Sequence, residues 1–234
     1  MNATSPATAK KNASSHETEK DPSPTPQWTR IDHLEKMPPF LVSLSSEDNH
    51  WMFVSSNGGL TAGRESPAKS LFPYQTEDKL TQLAHCNGPV TVVRWRGEDG
   101  SHGFWRALDP HRPEGERSLH KTLDNTRLHF REFLPGKDWT FSATWGFSRR
   151  FGFIRKATFC NDSSTTAEVE ILDGLQGVSP AGLTEAFQNQ FSILAHAYTR
   201  AECMPEERLR MVYLNSAPTD RAEPSESLRA NLVW

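Results

Sequence analysis

The residues with the clearest chemical potential begin at a glycine-rich stretch, Gly58-Gly59-Leu60-Thr61-Ala62-Gly63-Arg64. Glycines there either supply a turn with positive φ or let backbone lie against a ligand. In the second reading, Arg64 hydrogen-bonds an oxygen-rich group. No helix bearing a phosphate-binding lysine follows, and there is no GxxxxGK[ST] or GxGxxG between a strand and a helix, so the nucleotide fingerprints are missing. Saccharide chemistry suits the composition better. Sugar rings present apolar C–H faces that stack on Trp or Tyr, while Asp, Asn, Arg and His bind their hydroxyls. Tyr74, Trp95, Trp105 and Trp145 are the aromatic candidates for such stacking, although strand alternation sends most of them inward.

Glycoside chemistry needs one or two carboxylates beside the scissile bond. Asp78, Asp109, Glu132, Asp138 and Asp173 sit beside aromatics or at strand ends, and each reads first as a turn former or solvated edge residue. His102, His111, His120 and His129 are evenly spaced, but their neighbourhoods share nothing, so they are not a repeat. No HxH, HExxH or GxSxG is present, and metal binding and a nucleophile elbow are not expected. The three cysteines, Cys86, Cys160 and Cys203, form no CxxC pair, which argues against a disulfide framework or a cysteine zinc site. No cofactor is expected.

The elements that must position these groups are strands. Trp139, Phe141, Ala143 and Trp145 alternate with Thr140, Ser142 and Thr144. Leu128 and Phe130 alternate with Arg127, His129 and Arg131, and Phe151, Phe153, Ala157 and Phe159 share a further face. The turn formers Asn161-Asp162-Ser163-Ser164-Thr165 separate that strand from one carrying Ala167, Val169 and Ile171. Weaker strand signals cover 51–55, 90–96, 103–108 and 211–214, and residues 228–234 open another. Phe187, Phe191, Leu194 and Tyr198 recur at helical spacing, with Thr184 as cap and Pro205 beyond the end. That stripe predicts one helix of about 15–20 residues packed on a sheet.

Hydrophobic residues make up 35% of the 234-residue chain, and residues 1–27, rich in Ala, Thr, Ser, Lys and Pro, account for much of the shortfall. They read as a disordered tail. The domain reading is therefore tail 1–27, antiparallel β-sandwich 28–183, amphipathic helix 184–204, and the start of a further segment at 205–234. The apolar ending at Asn231–Trp234 carries the expectation that the sequence is the front portion of a longer protein. With 26 Lys+Arg against 29 Asp+Glu, a net charge of -3 argues against a global grip on nucleic acid or an anionic membrane. No apolar run approaches the roughly 18–20 residues of a spanning helix. The absence of a signal-like N-terminus and of Cys pairs points to the cytoplasm.

In order along the chain, three motifs resemble the N-terminal β-sandwich of cellobiose-phosphorylase-like enzymes, glycoside hydrolase family 94. They are Trp51-Met52-Phe53-Val54-Ser55-Ser56-Asn57-Gly58-Gly59, then Trp105-Arg106-Ala107-Leu108-Asp109-Pro110, then Phe151 to Asp173, where a strand reaches Asn161-Asp162-Ser163 and returns as a Val-rich strand. The likeness covers residues 50–175, and Leu71–Lys79 departs from it. It implies a mainly β super-sandwich, similar to galactose-mutarotase-like domains, which shapes the entrance to a sugar site and takes part in dimerisation. In that family a helical barrel supplies the catalytic groups, and this sequence has no counterpart, so no catalytic residue carries over. The expectation is a non-catalytic sandwich bordering a site for an oligosaccharide or sugar phosphate. Its contact residues would be Asn57, Gly59, Arg64, Tyr74, Asp78 and Trp105, and a homodimer is implied. Two alternatives stand beside it: a stand-alone mutarotase-like epimerase using His102 or His129 with Glu132, and an interaction module whose tail binds a partner.

Overall fold

Alternating apolar and polar side chains produce a mainly β chain, seen in a computed structural model that describes residues 26–215 and 230–234. The tail predicted at 1–27 lies, up to residue 25, outside the described residues, as do 228 and 229. The strands are β1 (Trp28–Asp32), β2 (Leu41–Ser45), β3 (His50–Ser55), β4 (Leu60–Arg64), β5 (Ser70–Phe72), β6 (Gly88–Gly97), β7 (His102–Ala107) and β8 (Glu116–Thr122). They continue with β9 (Leu128–Leu134), β10 (Trp139–Ser148), β11 (Gly152–Asn161), β12 (Ala167–Gln176), β13 (Thr199–Met204), β14 (Leu209–Leu214) and β15 (Ala230–Val233). The helices are α1 (Glu77–Gln82) and α2 (Glu185–Tyr198).

Four antiparallel sheets result, in the orders β1-β8-β9-β10-β11, β2-β3-β4-β5, β12-β6-β7 and β13-β14-β15. The five-stranded sheet meets two smaller ones on its inner face, and this makes the sandwich. Over one half, Leu119, Leu128, Phe130 and Trp145 pack with Val42, Leu44, Met52, Val54, Leu60 and Ala62. Over the other half, Trp139, Phe141 and Ala143 pack with Val93, Trp105 and Ala107. Burying aromatics on this scale dominates core energetics, and truncating one fully enclosed ring costs about 3–5 kcal/mol.

β10 obeys its alternation residue by residue, with Trp139, Phe141, Ala143 and Trp145 buried. Other expectations need correction. Phe151 lies outside β11 and is exposed, and Arg155 takes a place on that strand's inward row, between Phe153 and Ala157. The Asn161 turn is closed by its side chain, which accepts from the Ser163 backbone N–H. Yet β11 pairs with β10 while β12 pairs with β6, so the chain crosses between layers instead of returning alongside itself. Arg155 of β11 and Asp173 of β12 join the two layers at that edge.

The predicted helix at 184–204 ends six residues early. Thr184 caps it as expected, its hydroxyl accepting from the Phe187 N–H at 3.2 Å. Phe191 has non-helical angles, which breaks the apolar stripe, and Phe191 and Leu194 are exposed while Ala195 is buried. Residues 199–204 form β13 instead, because their backbone groups pair with β14, a tertiary gain that overrides helical spacing. The segment from 205 supplies β14 and β15 and docks on the sandwich through Asn231, whose side-chain amide donates to the carbonyls of Ser70 and Ser179 at 3.3 and 2.7 Å.

Candidate functional site

The Asn-Gly-Gly turn after β3 is built for packing. Gly58 has φ +99°, which a side chain rarely adopts. A Cβ on Gly59 would stand 2.0 Å from the Leu80 carbonyl oxygen, so α1 can press on this turn only if residue 59 is glycine. Asn57 donates from Nδ2 to the Thr81 carbonyl at 2.9 Å, tying turn to helix. It also lines an internal cavity of about 30 Å³, room for one water. Gly59 is thus buried under α1, correcting its assignment as a ligand contact, and Asn57 is tied to the helix.

Trp105 is corrected too. Alternation along β7 turns it inward, where it is 0% exposed and meets Phe141 edge-on. Trp145 is likewise enclosed, and Trp95 packs on Trp139 with the Lys137 ammonium 3.5 Å above its ring. Tyr74 is exposed beside Trp51. Asp78 sits in the first turn of α1, where a hydrogen bond from the Thr76 hydroxyl holds its carboxyl below the usual range. Neither Tyr74 nor Asp78 shares a cavity with Arg64.

Arg64 lies in a cleft of about 620 Å³, where the ends of β3 and β4 meet β11, β12 and β15. Register places it directly across from His50. Its Nε donates to the Asp48 carbonyl at 3.2 Å, and its terminal nitrogens have no protein partner among the described residues. His50 is buried, stacked on Phe147 and edge-on to Phe153, with Nδ1 2.9 Å from the Ser46 hydroxyl. Burial, reinforced by the Arg64 charge, pushes the imidazole below its ordinary pKa, so His50 is neutral near neutrality. Gly152, at φ +74°, leaves the space beside its Nε2 open.

Arg155 and Asp173 form the floor. The Arg155 side chain is 9% exposed, with Nη1 donating to Asp173 Oδ2 at 2.7 Å and Nη2 donating to the Thr91 hydroxyl at 3.1 Å. Its buried Nε has no partner among the described residues. At the rim, Phe151 and Trp234 meet edge-on with centroids 5.4 Å apart, and Lys69 adds a further cation. Sequence reasoning placed Arg64 here and weighed Asp173 only as a lone carboxylate. It missed Arg155, whose one signal was a charged residue on the inward parity of an aromatic strand.

The epimerase pair does not assemble. Glu132 is 0% exposed on the inner face, where its carboxylate accepts from Arg117 Nε and Nη2 and from the Leu108 and Gly115 N–H groups. His129 points outward, bonded to Thr144 and edge-on to His120, and His102 is exposed on another sheet. Among the described residues there is no group of three or more His, Cys, Asp or Glu suited to a metal ion, and no helix long and apolar enough to cross a membrane.

Fold and site together define an antiparallel, mainly β sandwich with a cationic, aromatic-rimmed cleft at the seam of its sheets. Compared with known proteins, the chain matches no family model and no curated sequence.

Proposed function

We propose that this chain is a saccharide-binding β-sandwich, non-catalytic by itself, that borders a sugar site in a carbohydrate-active protein. The observation that carries the reading is the cleft. At about 620 Å³ it falls within the range of small-ligand sites, it is rimmed by the exposed aromatics Phe151 and Trp234, and it sets donors and an acceptor (Arg64, Arg155 and Asp173) beside them. Rings that stack on C–H faces, next to an arginine–aspartate pair that serves hydroxyls, are what sugar recognition requires. The motif order that resembles the phosphorylase N-terminal sandwich supports the same class. Exposed Phe104 and Leu172, on the outer face of β12-β6-β7, are apolar surface suited to a second copy, as the implied homodimer would need.

The test is retention of the full chain on a glycan array, with Trp234→Ala and Phe151→Ala as variants. Both residues are exposed, so the fold survives their truncation, checked by circular dichroism. Several-fold weaker retention by each variant is expected. Equal retention by wild type and both variants would remove the cleft from the reading.

A further inference from the structure

Charge separates the kinds of saccharide this cleft can hold. Three side-chain cations line it, Arg64 from β4, Lys69 from the turn before β5 and Arg155 from β11, against one side-chain carboxylate, that of Asp173. His50 is held neutral and does not alter that excess near neutral pH. Lys69 is ion-paired with Glu65 outside the cleft, and Asp173 accepts from Arg155 on one oxygen and from the Thr91 hydroxyl on the other. Among the described residues, the two terminal nitrogens of Arg64 and the enclosed Nε of Arg155 have no protein partner.

A buried donor on a charged group without an acceptor is costly, and native structures leave one mainly where something else supplies the acceptor. Neutral hydroxyls would satisfy that donor but leave the net positive charge of the cleft uncompensated. An anionic oxygen answers both.

We infer that the cleft selects acidic saccharides, whose carboxylate or phosphate is held by Arg64 and Arg155 while Asp173 accepts from a ring hydroxyl. This rests on the saccharide reading of the cleft and narrows its ligand class. Such binding weakens as salt rises, because the Arg64 and Lys69 charges are exposed to screening.

The experiment probes the full chain on an array of neutral, uronate-bearing and phosphomonoester-bearing glycans at low and high salt. Retention of acidic glycans alone is expected, and the uronate and phosphomonoester spots tell which anion is preferred. The double variant Arg64→Gln/Lys69→Gln alters only the rim and should lose about tenfold in acidic-glycan affinity, as should Arg155→Lys, which keeps the charge but removes Nε. Thermal unfolding confirms that each variant is folded. Equal retention of neutral and acidic glycans overturns the selectivity and leaves the saccharide reading standing. Retention of no glycan overturns both. Acidic binding untouched in both variants removes these arginines from the site.

Discussion

Two of the arginine–carboxylate pairs that span strands of this molecule differ in their surroundings, which separate a structural pair from one fit for recognition. Arg117 and Glu132 lie across β8 and β9 on the inner face, enclosed, with Glu132 accepting from Arg117 and from two backbone N–H groups. Arg117 spends its third nitrogen, Nη1, on the Asp109 carbonyl at 2.7 Å. All three guanidinium nitrogens are engaged, and the pair is enclosed. Arg155 and Asp173 instead bridge the two layers at the sheet edge, with Asp173 about one-third exposed and Arg155 Nε unbonded. An enclosed pair with every guanidinium nitrogen engaged holds the fold; one with a nitrogen to spare, at the edge of a cleft, can serve something outside it.

The sharpest way to break that contrast is Glu132→Ala. It strands the Arg117 charge and two backbone donors in the core, and a loss of about 3–5 kcal/mol in urea unfolding is expected. A loss below 1 kcal/mol would show that water reaches the pair and that the distinction is wrong. Asp173→Asn should cost less, about 1–2 kcal/mol, because the amide oxygen still accepts from Arg155 and solvent is close by. Parity between the two variants would erase the contrast.

The smallest effect is a pH dependence. Burial lowers the pKa of His50 in the cleft and of His120 and His129 on the outer face of the five-stranded sheet. As pH falls below the ordinary value of 6.5, the unfolded chain takes up protons that the folded chain resists, so stability is complete above that pH and declines below it. Urea midpoints should therefore fall between pH of about 7.5 and 5.5, and fall less in His120→Gln/His129→Gln. The residual slope belongs to His50. An identical slope in wild type and variant would place the whole dependence at the cleft.

Much of the sandwich was legible in advance. Strands with strict alternation, such as β10, and the turn at Asn161 announce themselves, because their side chains answer to their own backbone. β2 was missed although Val42 and Leu44 are buried on alternate positions. β8 was harder to see, since Arg117 occupies an inward position that only the Glu132 carboxylate makes tolerable. The candidate site was less legible. Of the six residues singled out, Arg64 alone lies in the cleft, while Asn57 and Gly59 hold a turn, Trp105 fills the core, and Tyr74 and Asp78 face elsewhere. Residue type shows what a side chain can bond, not whether the protein has already used it.

By itself, the order of amino acids determined that this chain is built of antiparallel strands, because side-chain parity and turn chemistry are local properties of a pleated backbone. Only the tertiary structure decided where a ligand could lie. The cleft is made of Arg64, Arg155, Asp173 and Trp234, which are far apart along the chain and belong to different sheets. Their meeting depends on which sheet each strand joins, and backbone hydrogen bonds between distant segments settle that.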